Sequence, residues 1–109
     1  MRQIEREIVS AIRNRVDAFG MGNTTITYNK HTKTHDVILH GHIIAQINYK
    51  ERWVRLSSCG YLTNVTKSRL NCVLDGVGSY KCISQKNHKW YIVDYSSTEE
   101  FKDGMKVKF

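Results

Sequence analysis

Residues 36–56 read Asp36-Val37-Ile38-Leu39-His40-Gly41-His42-Ile43-Ile44-Ala45-Gln46-Ile47-Asn48-Tyr49-Lys50-Glu51-Arg52-Trp53-Val54-Arg55-Leu56, and the period of this stretch decides the fold. Ile43, Ala45, Ile47 and Tyr49 recur at every second position, which puts them on one face of a half-buried strand. Gly41 supplies a bend or bulge between that strand and the apolar run at 36–40. Lys50-Glu51 reads as a turn, after which Val54 and Leu56 point inward while Trp53 and Arg55 point outward. Upstream, residues 24–28 are rich in β-branched side chains, and polar residues 29–33 form the hairpin loop that follows them. Four short strands with tight connections make an antiparallel meander.

Helical patterns flank the meander. Before it, Ile4, Ile8, Ala11, Ile12, Val16 and Phe19 recur at three and four, so residues 2–19 are predicted as an amphipathic helix. Glu5 and Glu7 near its start and Arg13 and Arg15 near its end suit the helix dipole, and Gly20-Met21-Gly22 stops it. After the meander, residues 60–74 pass from a polar loop into a short helix. Thr66 is the expected N-cap, Leu70, Val73, Leu74 and Val77 form the apolar stripe, and Gly76 or Gly78 ends it. Residues 80–85 and 90–95 are strand-like around a hairpin at 85–89, and residues 105–109 suggest a further short edge strand. The expected class is α+β: one domain over residues 1–109, an antiparallel meander with two helices in the order α-ββββ-α-ββ(β).

Composition bounds the partners. Seventeen Lys and Arg against ten Asp and Glu leave a net charge of +7 on 109 residues, which favours an acidic partner: nucleic acid or an acidic protein surface. The three cysteines, Cys59, Cys72 and Cys82, are an odd number without close pairs, which points to a reducing compartment. Residues 1–8 mix both charge signs and lack the apolar core of a signal peptide, and no apolar run approaches the roughly 20 residues that span a bilayer. The expected location is the cytoplasm, away from membranes. Unpaired sheet edges leave homo-oligomerisation open.

Motifs for chemistry are weak. His40 and His42 flank Gly41, and Cys59, Cys72, Cys82 and His88 are isolated, whereas a zinc site needs close pairs of ligands. Cys59 with His40 or His42 is the one nucleophile–base pairing that can be drawn, and it has no supporting motif. Asp36, Asp75, Asp94 and Asp103 are scattered, and Gly76-Val77-Gly78 follows a helix where a phosphate-binding glycine loop would precede one. The expectation is a non-enzymatic protein with no metal and no cofactor.

Cations beside rings are the stronger signal. Trp53 lies between Arg52 and Arg55, Lys50 is next to Tyr49, Tyr80 next to Lys81, and Lys89 next to Trp90-Tyr91. Single-stranded nucleic acid is held by this combination, rings stacking on bases while cations follow phosphates. Lys67, Ser68 and Arg69 add a second candidate phosphate point at a helix start, although Arg69 could equally pair with a carboxylate and Asn71 could tie the neighbouring loop. The candidate nucleic-acid-binding residues are therefore Lys50, Arg52, Trp53, Arg55, Lys67 and Arg69.

The string Leu39-His40-Gly41-His42-Ile43-Ile44-Ala45, followed by Gly60, Thr63, Thr66, Arg69, Leu70 and Asn71, resembles a group of small uncharacterised proteins of tailed bacteriophages. They share a leucine-histidine-glycine-x-x-isoleucine-alanine strand pair and a threonine-rich turn leading into arginine-leucine-asparagine; Gly22-Asn23-Thr24 fits as well. Tyr61 stands where a tryptophan is common, and Val65-Thr66 where a threonine pair is common. The resemblance implies a phage accessory protein acting in the cytoplasm of the bacterial host. Two functions stay open: binding nucleic acid, or modulating a host protein such as a polymerase, nuclease or defence factor by direct contact.

Overall fold

The strand alternation read from residues 24–56 is what closes the core. In the computed structural model, which describes residues 2–109, the order is α1 (Gln3–Arg13), β1 (Ala18–Met21), β2 (Thr24–Asn29), β3 (Thr34–Leu39), β4 (His42–Asn48), β5 (Trp53–Leu56), α2 (Asn64–Gly76), β6 (Cys82–Lys86), β7 (Lys89–Val93), β8 (Thr98–Glu100) and β9 (Met105–Lys108). The fold is α+β with antiparallel sheets. One six-stranded sheet runs β1-β2-β3-β4-β5-β9 and a three-stranded sheet runs β6-β7-β8. The chain returns after the small sheet to lay β9 against β5, so Trp53 faces Lys108, Val54 faces Val107, and Arg55 faces Lys106.

Register sorts the large sheet into two faces. Ile26, Val37, Ala45, Ile47, Val54, Leu56 and Val107 are buried on the inner face, where they form one apolar cluster with Ile8 and Ile12 of α1 and Leu70, Val73 and Leu74 of α2. The helices cross closely at Gly76, where a Cβ would stand 2.7 Å from Ile12 side-chain atoms. The outer face carries Thr27, Asp36, Gln46, Arg55 and Lys106 in one row, each opposite the next. The second sheet attaches through Asn71 of α2, whose amide oxygen accepts from the Ile83 backbone N–H at 2.6 Å and whose amide nitrogen donates to the Ile83 carbonyl at 3.1 Å. Asn71 thus acts as one more strand partner for β6, the structural role open to it in the sequence.

Several local expectations are corrected. Helix α1 ends at Arg13, not near Phe19, because Arg15 adopts a left-handed φ of 55° and the chain pairs residues 18–21 with β2. Ile43 is 44% exposed while Ile44 is 2% exposed. The pairs Val37–Ala45 and Ile38–Ile43 leave Ile44 as an extra residue, and this bulge inverts the alternation at the start of β4. Gly41 itself sits in a two-residue hairpin turn with His40, both at positive φ. The N-cap of α2 is Thr63, whose hydroxyl accepts from the Thr66 backbone N–H at 3.2 Å; Thr66 is buried inside the first turn. Tyr80 and Tyr95 fall outside the strands, in loops.

Candidate nucleic-acid interface

The helices cover only the inner face, so the outward residues of β5 and β9 meet solvent. Trp53 sits at their junction. The Lys106 Nζ lies 4.1 Å from its ring centroid and the Arg55 guanidinium carbon 5.7 Å, both over the ring. Arg55 and Lys106 are directly opposite each other across the strand pair, a like-charge arrangement that costs stability. Lys108 stands opposite Trp53. Next to them, Arg52 leaves the turn with φ 59°, its Nε donating to the Phe109 carbonyl at 2.9 Å and its guanidinium 5.1 Å from the Phe109 ring centroid. Among the described residues, no Asp or Glu side chain pairs with Lys50, Arg52, Arg55, Lys106 or Lys108; the ion pairs are Arg13–Asp75 and Lys81–Asp94, and His35 is hydrogen-bonded to Asp17 at 2.8 Å.

Two acidic groups of the large sheet and its turns, Asp36 and Glu51, are held by neutral donors. Asp36, buried in the outer-face row, accepts from Thr34 at 2.7 Å, Asn29 at 3.3 Å and Gln46 at 3.4 Å. Glu51 of the β4–β5 turn accepts from the Asn48 amide at 3.3 Å.

At the strand end beside Lys50, rings follow one another: Tyr28–His35 at 4.9 Å, His35–Tyr49 at 5.0 Å and Tyr49–Phe109 at 6.4 Å between centroids. Arg15 lies 4.9 Å over Tyr49. The Tyr49 hydroxyl donates to the Ile12 carbonyl at 2.6 Å, and burial pushes its pKa up to about 12, so this ring stays neutral. Cations also occur away from this surface, with Arg2, Arg6 and Arg13 on or beside α1 and Lys86 and Lys89 at the β6–β7 turn.

The structure brings Trp53 and Arg55 together on the outer face. Arg52 turns to Phe109 and lines a cleft with Ile12, Arg15, Gly76 and Val77 on the helix side; Lys50 stays on the preceding turn, and the other two candidates lie apart. Lys67 is on α2, across the sheet from Trp53, with its ammonium 3.3 Å from the Gln85 side-chain oxygen. Arg69 is 5% exposed, so its guanidinium cannot meet a phosphate. It donates to Thr24 at 3.1 Å, Ser68 at 3.2 Å and Asn23 at 3.4 Å. Ser68 in turn donates to Glu5 at 2.9 Å; the Arg2 backbone N–H, donating to the same carboxylate, and this Ser68 bond lower the Glu5 pKa. Arg69 therefore ties β2, α2 and α1 through neutral partners, not through the carboxylate pair considered for it. Lys106 and Lys108 were missed by sequence reasoning. Their alternation with Met105 and Val107 was the available signal, but nothing local places that strand beside Trp53.

Among the described residues no group of His, Cys, Asp and Glu is arranged to hold a metal ion, the cysteines are unpaired, and no helix is long and apolar enough to cross a membrane. Against protein-family models, residues 1–108 match the one described as Kyanoviridae Gp96 protein. The chain belongs to that family. The Gp96 assignment covers nearly the whole chain and makes this a bacteriophage protein, the origin implied by the resemblance at residues 39–45 and 60–71. No curated protein and no solved structure matches the chain.

Proposed function

We propose that this Gp96-family chain is a non-enzymatic phage accessory protein that binds nucleic acid through the outer face of β5 and β9 and the adjoining turn. One observation carries the reading: Arg55, Lys106 and Lys108 gather around Trp53, with Arg52 over the adjoining Phe109 ring, and none of the four has an Asp or Glu partner among the described residues. A like-charge pair placed face to face is unfavourable in the isolated protein and becomes favourable when phosphates lie against it. Lys50 extends the same surface. An electrophoretic shift assay at about 50 mM salt, where phosphate contacts are strong, is expected to show binding, weakened alike for all sequences by Arg52→Ala with Arg55→Ala. Absence of any shift under those conditions contradicts the proposal.

A second reading, a modulator of a host protein, is favoured by a different feature. At the opposite strand end a cavity of about 390 Å³ is lined by Leu39, His42, Ile44, Tyr61 and Val65; of these Tyr61 and Val65 are exposed, as is Leu62, the sequence neighbour of Tyr61. Exposed apolar groups gathered at a concavity suit a protein partner. Capture from nuclease-treated host lysate separates the readings. One stoichiometric protein that is retained by the wild type and lost with Leu62→Asp favours this second reading; loss of all partners on nuclease treatment favours nucleic acid.

A further inference from the structure

Resting on the nucleic-acid reading, we infer that the groove between the β5–β9 edge and the second sheet takes an unpaired nucleotide, with its base on Tyr80 and Tyr95 and its phosphate on Arg52 and Lys108. The groove has a volume of about 360 Å³ and is lined by those side chains together with Phe109 and Lys81. That size falls within the range of small-ligand clefts, roughly 300–1,000 Å³.

Two tyrosines stand out in this groove. Tyr80 is 83% and Tyr95 90% exposed, yet their ring centroids are 6.3 Å apart at an interplanar angle of 63°. Neither ring contributes to the apolar core. Both nevertheless stand on firmly held backbone. Beside Tyr95, Asp94 accepts from the backbone N–H groups of Ser96 at 2.8 Å and Ser97 at 2.7 Å and from both serine hydroxyls, and its own N–H donates to the Ser97 carbonyl at 3.0 Å. Beside Tyr80, the Ser79 N–H donates to the Leu74 carbonyl at 2.9 Å and the Ser79 hydroxyl accepts from the Lys81 N–H at 3.1 Å. Rings held out on fixed loops are organised for stacking before a ligand arrives, which reduces the ordering cost of binding.

Charge in the groove is arranged to match. The Asp94 carboxylate is occupied by the serine donors and by the Lys81 ammonium at 3.2 Å, which hold its pKa well below the usual carboxylate range. Arg52 and Lys108 have no Asp or Glu partner among the described residues, Arg52 donating through Nε to the Phe109 main-chain oxygen at 2.9 Å. A paired base in a duplex has its faces covered by neighbouring bases, so a tyrosine pair can stack only on an unpaired one.

Fluorescence anisotropy with a labelled mixed-sequence single-stranded oligonucleotide, and with the same strand annealed to its complement, tests this. Wild type should bind the single strand more tightly than the duplex. Tyr80→Ala with Tyr95→Ala should weaken single-strand binding about 5- to 150-fold, the span of one stacked base, while Tyr80→Phe with Tyr95→Phe retains it. Both positions are exposed, and thermal melting verifies that each variant is folded. Equal affinity for both forms, or an alanine double variant that binds like wild type while Arg55→Ala with Lys106→Ala does not, overturns the groove assignment and leaves the nucleic-acid reading standing. Failure of both probes to bind at about 50 mM salt overturns the two together.

Discussion

Lys106 lies with its ammonium 4.1 Å from the Trp53 ring centroid and directly across the strand pair from Arg55. A cation so placed gains from the ring and loses from its like-charged neighbour. Lys106→Glu exchanges the repulsion for a cross-strand ion pair, worth roughly 0.2–1 kcal/mol for this geometry. The variant should therefore unfold at equal or higher denaturant concentration than wild type while binding nucleic acid more weakly. A variant that loses stability and keeps its affinity would assign Lys106 to the fold instead.

Asn71 is expected to matter for stability alone. Its two bonds to Ile83 serve a buried strand edge, and Asn71→Ala leaves that N–H and carbonyl without their partner. A loss of about 1–3 kcal/mol is expected for such orphaned groups, read by urea denaturation, with faster hydrogen exchange at the Ile83 amide and unchanged nucleic-acid affinity.

Gly76 permits the close crossing of α1 and α2. Alanine there is compatible with helix, but its Cβ would overlap Ile12 at 2.7 Å and approach the Val9 carbonyl at 3.3 Å. Gly76→Ala should destabilise by about 1–3 kcal/mol through overpacking despite alanine's better helix propensity. Gly76→Ala with Ile12→Val, which trims the opposing side chain, should recover part of the loss in the same denaturation assay.

Alkaline pH should weaken the fold. Burial raises the Cys72 thiol from 9.0 to about 11 and the Tyr49 phenol from 10.0 to about 12. Both groups hold their protons more tightly folded than unfolded, so their contribution is fully present below pH 9 and is lost as pH rises through about 11 and then about 12. Denaturation midpoints across that range should fall steadily, and Tyr49→Phe, which cannot ionise, should flatten the upper part of the decline. In the native protein, exposed Cys82 should alkylate well before buried Cys72.

The legible parts of this chain are those where local chemistry and tertiary structure agree. Apart from the bulge at Ile43–Ile44, residues 34–56 alternate and carry turn residues where the chain reverses, so β3, β4 and β5 and the outward aim of Trp53 and Arg55 can be read directly. At residues 14–21 the two diverge: Val16 and Phe19 continue the helical spacing, and the break falls at Arg15, a side chain with no signal for positive φ. The Ile44 bulge is equally silent, because isoleucines stand at both 43 and 44 and only the partner strand decides which is buried. At the interface, Lys106 and Lys108 depend on a long-range pairing of β9 with β5. Arg69 has the composition of a surface cation, and its burial rests on Asn23, Thr24 and Ser68, two of which come from a distant part of the chain.

The proposed binding requires cations of the β5–β9 face to touch phosphate, and its salt dependence measures that most directly. For a single-stranded oligonucleotide, the logarithm of the association constant should fall linearly with the logarithm of salt concentration, and each cation removed from Arg55, Lys106 and Lys108 should reduce the slope by about 0.7. A slope near zero, or one that is the same after all three are replaced by alanine, would contradict it.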